Sequence, residues 1–364
     1  MHKSSINSSK SAFPTSFVFL LALCLHFPGI ASATAPVGPP QVQRATNCDL
    51  QFGAPLQYDM GTETSVAATP AGLILEFRRP PGTEIFYQVG KFDGTKVTWG
   101  ARQPAGAWGY RPAVAVTKDG YVIEVHATED FTNRYSRLTS DLYYRIGKID
   151  PDGDHNQSIR WLTESIHWDA GYNASIAIND RGVILGVYEP GSKGDSGLYY
   201  RVGLMRYDNT IIWFSGGLEG RKYADQGTNP HIAINSNNDV VEVHESPNSA
   251  LVHYRRGFVS GGTIHFGESK LYNDWAWEPA VALLDSGDVL EVHAQGYAAS
   301  FLASRTGKLS LTDPDAVEWS DPVLVHNDFI LNPSIAATGN FAVETHSLLY
   351  RGPGLAFSVA KPCE

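Results

Sequence analysis

Short runs of alternating apolar and polar residues, interrupted by Gly, Asn or Asp, recur along the chain from about residue 50 onward. A period of two sends successive side chains to opposite faces of a strand, and the β-branched and aromatic residues that fill these runs suit that geometry. The clearest run, RPAVAVTKDGYVIEVHA (111–127), returns as NASIAINDRGVILGVYE (173–189), NPHIAINSNNDVVEVHE (229–245) and EPAVALLDSGDVLEVHA (278–294). Weaker copies are ETSVAATPAGLILEFRR (63–79) and NPSIAATGNFAVETHS (332–347). Each copy reads as a strand, a tight turn and a second strand, which is a hairpin. A third strand follows: IFYQVG (85–90), LYYRIG (142–147), LYYRVG (198–203), VHYRRG (252–257), LASRTG (302–307) and LAFSVA (355–360). A short fourth one ends in an aromatic: VTWG (97–100), IRWL (159–162), IIWF (211–214), IHFG (264–267) and VEWS (317–320). The last copy has no fourth strand of its own, and LQFG (50–53) supplies one from the other end of the chain.

Four antiparallel strands repeated about every fifty residues resemble the blades of β-propeller repeat proteins, because one such sheet must stack on its neighbours to bury both faces. The resemblance covers nearly all of the chain beyond residue 47 and implies an all-β, six-bladed propeller over 48–364, closed by its N-terminal strand. It is one of architecture: there is no regular Trp-Asp blade ending, no Gly-Gly doublet in register and no Ser-x-Asp-x-Gly-x-x-Trp box. An open stack of hairpins would leave strand edges bare and would not account for the displaced strand.

Composition agrees with sheets. Of 364 residues, 43% are hydrophobic and 18% charged, which excludes global disorder, and 35 Gly with 21 Pro exclude a long helical protein. A net charge of −10 argues against nucleic acid as a partner. Residues 1–33 read as a secretory signal: Lys3 and Lys10, an apolar run from Phe17 to Phe27, then Ala31-Ser32-Ala33. That run is too short to cross about 30 Å of hydrocarbon, so membrane insertion is not expected. Residues 34–47 form an N-terminal extension. Outside the signal, Cys48 and Cys363 are the only cysteines, and export makes a disulfide between them the natural reading.

One column of the repeat holds Arg78, His126, Tyr188, His244, His293 and His346, and two residues earlier stand Glu76, Glu124, Gly186, Glu242, Glu291 and Glu344. Four of the twelve histidines thus share one repeat position, and residues two apart on a strand face the same way. The segments between copies carry an aromatic and an acid: Tyr58 and Asp59, Trp168 and Asp169, Tyr223 and Asp225, Tyr272 and Asp274, His326 and Asp328. A rim bearing these groups suits a carbohydrate or glycoconjugate, with rings stacking on sugar faces and carboxylates or imidazoles bonding hydroxyls. The bland reading is that the Glu column faces Gln88, Arg145, Arg201, Arg255 and Arg305 across the sheet and joins strands.

Weaker motifs add little. Asp150, Asp152 and Asp154 form an acidic turn without the spacing of a calcium loop. Asn156 and Asn173 head glycosylation sequons. No ligand spacing calls for a metal, and no motif calls for a cofactor. Two functional readings stand: a secreted lectin-like protein with pockets at the blade rims, and an exported glycoside hydrolase. The innermost segments SVAAT, AVAVT, SIAIN, HIAIN, AVALL and SIAAT contain no acid, which counts against catalysis in a central funnel. A protein-interaction scaffold is a third reading.

Overall fold

A computed structural model of the protein describes residues 51–128, 140–150, 157–191, 196–214, 222–247, 249–296, 301–327, 329–348 and 354–361, apart from the side chains of 51, 222, 223 and 272–274. Among the described residues there are strands and no helix. Cys48, Cys363, Asp152, Asp154, Asn156 and Asp328 lie outside them.

Among the described residues, strand pairing forms six antiparallel sheets of one plan. Sheet 1 runs from Thr62–Ala68 through Leu73–Arg79 to Glu84–Phe92, with Val97–Trp99 and Gln103–Trp108 on its outer side. Sheet 2 repeats this with Tyr110–Val116, Tyr121–Ala127, Asp141–Ile149, Ile159–Trp161 and the first half of Ile166–Ile178. The second half of that long strand starts sheet 3, which continues through Val183–Pro190 and Gly197–Met205. Sheets 4 and 5 follow from Thr228–Ile234 and from the second half of Lys270–Leu283. Sheet 6 comprises Ile330–Ala337, Ala342–Leu348 and Gly354–Lys361, and its outer strands come from the N-terminal side: Gln51–Phe52 and Leu56–Met60 both pair with Gly354–Lys361.

The register explains two columns of the repeat at once. Gly90, Gly147, Gly203, Gly257 and Gly307 pair directly with Trp99, Trp161, Trp213, Phe266 and Trp319. A Cβ on Gly90, Gly203 or Gly307 would stand only 2.7–2.8 Å from the facing indole. The glycine is therefore the floor on which the fourth-strand ring lies. In sheet 6 the same pair is Ala360 opposite Phe52, so the displaced strand completes the motif with its own aromatic.

Apolar faces are buried between sheets. Phe77, Ile85 and Tyr87 of sheet 1 pack with Val114, Val122 and Ile159 of sheet 2. Val66, Ile74 and Phe92 of sheet 1 pack with Phe341, Val343 and Phe357 of sheet 6, so the last sheet closes on the first. Each such side chain contributes about 1.5–3 kcal/mol on full burial. The six inner strands touch in chain order and the sixth touches the first, which encloses a central channel. Side chains stitch that ring: Ser65 Oγ accepts from Val114 N, Ser175 Oγ from Ile232 N, His231 Nδ1 from Val281 N and Ser334 Oγ from Val66 N.

Candidate functional site

Every inner strand breaks register near its start, and at each break one residue other than glycine takes a left-handed backbone. These are Glu63, Arg111, Asn173, Asn229, Glu278 and Asn332, with φ between 48° and 55°. Asparagine tolerates this conformation, but for glutamate or arginine it costs on the order of 1 kcal/mol or more. Carboxylates hold the bend: Glu63 accepts from Arg111 N (2.8 Å), Glu189 from Asn229 N (2.8 Å), Glu245 from Glu278 N, and Glu278 from Asn332 N. Each bond runs from one sheet to the next around the channel mouth.

The side chains of the ring then meet one another. Arg111 Nη1 donates to Asn173 Oδ1 at 3.0 Å and to Asn229 Oδ1 at 3.3 Å, and Asn173 Nδ2 also donates to Asn229 Oδ1. Asn173 Nδ2 reaches Glu189 at 2.7 Å, Asn229 Nδ2 reaches Glu245 at 2.6 Å, and Asn332 Nδ2 reaches Glu278 at 3.0 Å. Arg79 grips Glu63 through two nitrogens at 2.8 and 2.9 Å. Beneath this ring a cavity of about 220 Å³ runs between the inner strands.

Burial sets the protonation here. It pushes the Glu245 carboxyl up to about 7, and the charges of Glu278 and Glu189 add to this against the opposing hydrogen bonds from Glu278 N and Asn229. The Tyr172 phenol, adjacent in sequence to Asn173, is pushed well up by burial and by Glu189, to which it is hydrogen-bonded. His231, lower in the channel, is pushed down to about 4 by burial; its Nδ1 accepts a backbone N–H, as a neutral imidazole can.

The columns that the repeat singled out lie elsewhere. Arg78, His126, Tyr188, His244, His293 and His346 are buried inside the sheet stack, none more than 4% exposed. His126, His244, His293 and His346 each turn Nδ1 onto the Glu two residues earlier, at 2.8–3.2 Å. Burial lowers His126 and His244, but the Glu124 and Glu242 carboxylates outweigh it and hold both above the ordinary range. The expected exposed rim column is therefore a row of interior hydrogen-bonded pairs. The acids between copies meet this row from the preceding sheet: Asp59 pairs with Arg78, Asp169 with Tyr188 and Arg201, and Asp225 approaches His244 Nε2 at 3.9 Å. Tyr58 stacks on Trp99 at 5.1 Å instead of facing solvent. The side chains of Tyr223, Tyr272 and Asp274 are outside the described residues.

Gly186 and Tyr188, which break the columns, have a packing explanation. A Cβ on Gly186 would lie 2.1 Å from the Trp168 indole, which fills the space a Glu takes in other sheets. The expected pairing of the Glu column with the third strand is present in register, Glu124 opposite Arg145 and Glu242 opposite Arg255. The guanidiniums nevertheless turn to the preceding sheet, bonding Ala105 O and Ala224 O. Asn173 stands in the channel ring with its Nδ2 held by Glu189, which is no place for a covalently attached glycan.

The expectation that the inner strands carry no acid needs correction. Glu63 and Glu278 begin their copies of the repeat, just ahead of the segments SVAAT and AVALL, and the strands extend back to include them. The signal was present: the first residue of all six copies is Glu, Arg or Asn, the polar ring itself. Among the described residues no group of three or more His, Cys, Asp or Glu could hold a metal ion.

No protein-family model matches the chain, and no curated protein matches it. Solved structures do. Trypanosoma rangeli sialidase superposes with a TM-score of 0.57 at 11% identity, over 85% of this chain and 55% of that one. A Dyadobacter fermentans protein of unknown function gives 0.57 at 14% identity, over 86% of this chain and 99% of that one. A Hadza microbial sialidase gives 0.57 at 12% identity, over 83% and 66%. This chain thus spans about half the length of the trypanosomal sialidase. At these identities the shared property is the fold, and the sialidases are β-propellers. The chain has an all-β fold of that kind.

Proposed function

We propose that this protein is an exported, six-bladed propeller that acts as a glycoside hydrolase at the mouth of its central channel. The observation that carries the reading is a pair of buried carboxyls, Glu189 and Glu245, both hydrogen-bonded to Asn229 and set in unlike surroundings. Glycoside cleavage uses two carboxyl groups in different protonation states, one donating a proton to the leaving oxygen and one acting as nucleophile or base. Glu245, near 7, is the proton donor; Glu189, which accepts from Asn173, Asn229 and Tyr172, is the acceptor. The sialidase neighbours lend support through their fold, and one was solved in complex with sialic acid.

Turnover on a panel of chromogenic glycosides tests this. Wild-type protein hydrolyses at least one member, and Glu245→Gln and Glu189→Gln each lower kcat by about a hundredfold or more while the protein stays folded. Undiminished turnover in Glu245→Gln, or none by the wild type on any glycoside, contradicts the reading. Closure by a Cys48–Cys363 disulfide belongs to the same proposal, since the Gln51–Lys361 pair lies within three residues of each cysteine. The denatured oxidised protein then shows no free thiol.

A lectin-like protein is the second reading. It is favoured by the engagement of Glu63, Glu189 and Glu245 with backbone N–H groups, which suits a rigid binding ring as well as a catalytic one. Binding without turnover selects it.

A further inference from the structure

Two tryptophans flank the ring at the surface. Trp108 is 68% exposed and Trp275 60% exposed, unusual values for the largest apolar side chain. They occupy one repeat position: each stands three residues before its ring residue, Arg111 or Glu278, where the chain crosses from the outer strand of one sheet to the inner strand of the next. The equivalent residues in the other copies are Met60, Ala170, Gln226 and Phe329, so these two copies alone carry an indole at this repeat position. The inner strands touch in a closed order of six, and those of Arg111 and Glu278 are three steps apart in either direction. The two crossovers therefore lie on opposite sides of the channel mouth. Between them are Arg111, Asn173, Asn229 and Asn332, each partly exposed.

A single sugar cannot stack on two indoles on opposite sides of a ring. We infer that the mouth binds an unbranched oligosaccharide or polysaccharide chain laid across the channel, with one sugar face on Trp108, another on Trp275, and the hydroxyls between them over the amide and guanidinium ring. The inference rests on the carbohydrate reading above and narrows it to a chain. Flat indoles match the apolar face of a pyranose, and amides both donate to and accept from its hydroxyls. A peptide or lipid surface would favour a continuous apolar patch over two separated rings around a polar centre.

Calorimetric titration with cello-, xylo-, manno- and chito-oligosaccharides, from the monomer to the hexamer, tests this. In at least one series the affinity of the wild-type protein rises with chain length. Trp108→Ala and Trp275→Ala each weaken hexamer binding about three- to tenfold, and the double variant flattens the dependence on length. Melting temperatures taken alongside separate loss of binding from loss of folding in each variant. Equal affinity for monomer and hexamer, or hexamer binding insensitive to both substitutions, overturns the chain inference and leaves the carbohydrate reading standing. Neither binding nor turnover of any sugar overturns both.

Discussion

His231 lines the channel and Glu245 braces its ring through Asn229 and Glu278 N; burial moves the two in opposite directions, which gives stability two limbs of opposite sign. Glu245, near 7 in the folded protein against an ordinary value of 4.5, keeps a proton that the unfolded chain has lost. Its contribution is present below about 4.5 and is lost as pH rises through 7, amounting to roughly 3 kcal/mol. His231 sits near 4 against 6.5, so the unfolded chain takes the proton first and stability falls as pH drops from 6.5 towards 4. Melting temperature against pH resolves the two by difference. Relative to wild type, Glu245→Gln removes part of the loss above pH 4.5, and His231→Ser, which copies Ser65, Ser175 and Ser334, removes the loss on acidification. A His231→Ser profile parallel to the wild type would mean that this imidazole takes up its proton as readily in the fold as in the unfolded chain. His126 and His244, raised by their glutamates, share the sign of Glu245 and persist in both variants.

The four-strand unit was almost wholly legible in sequence, because its turn residues, alternation and aromatic column recur six times. What sequence alone could not show was where each column points. A Glu-x-His pair on one strand face reads the same whether that face meets solvent or the next sheet, and here the stack buries it. The Gly column and the aromatic column were each visible, but their direct pairing across the third and fourth strands is a matter of register. Gly186 shows the same limit: its departure from Glu follows from Trp168, eighteen positions earlier in the chain. Gly186→Ala forces a methyl into that indole and destabilises the fold by about 1–3 kcal/mol, read by denaturant midpoint. Unchanged stability in this variant would mean that the indole can move aside.

At the level of the whole molecule, closure depends on both ends of the chain. Phe52 supplies the ring that sheet 6 lacks, and the contact of Val66, Ile74 and Phe92 with Phe341, Val343 and Phe357 completes the circle. Closing the circle is what brings six first residues, Glu63, Arg111, Asn173, Asn229, Glu278 and Asn332, from scattered sequence positions to one mouth. Their left-handed backbone made them invisible as strand residues to a reading by alternation, since each stands in a bulge where the period of two is broken. On the proposed function, sugar is engaged at this mouth and not between the sheets. A crystal structure of the Glu245→Gln protein soaked with its best-bound oligosaccharide tests it most directly. Sugar density is expected over Arg111, Asn173 and Asn229, reaching towards Trp108 and Trp275. Sugar found instead beside the Glu-x-His rows or along the outer strands, with the mouth empty, would contradict it.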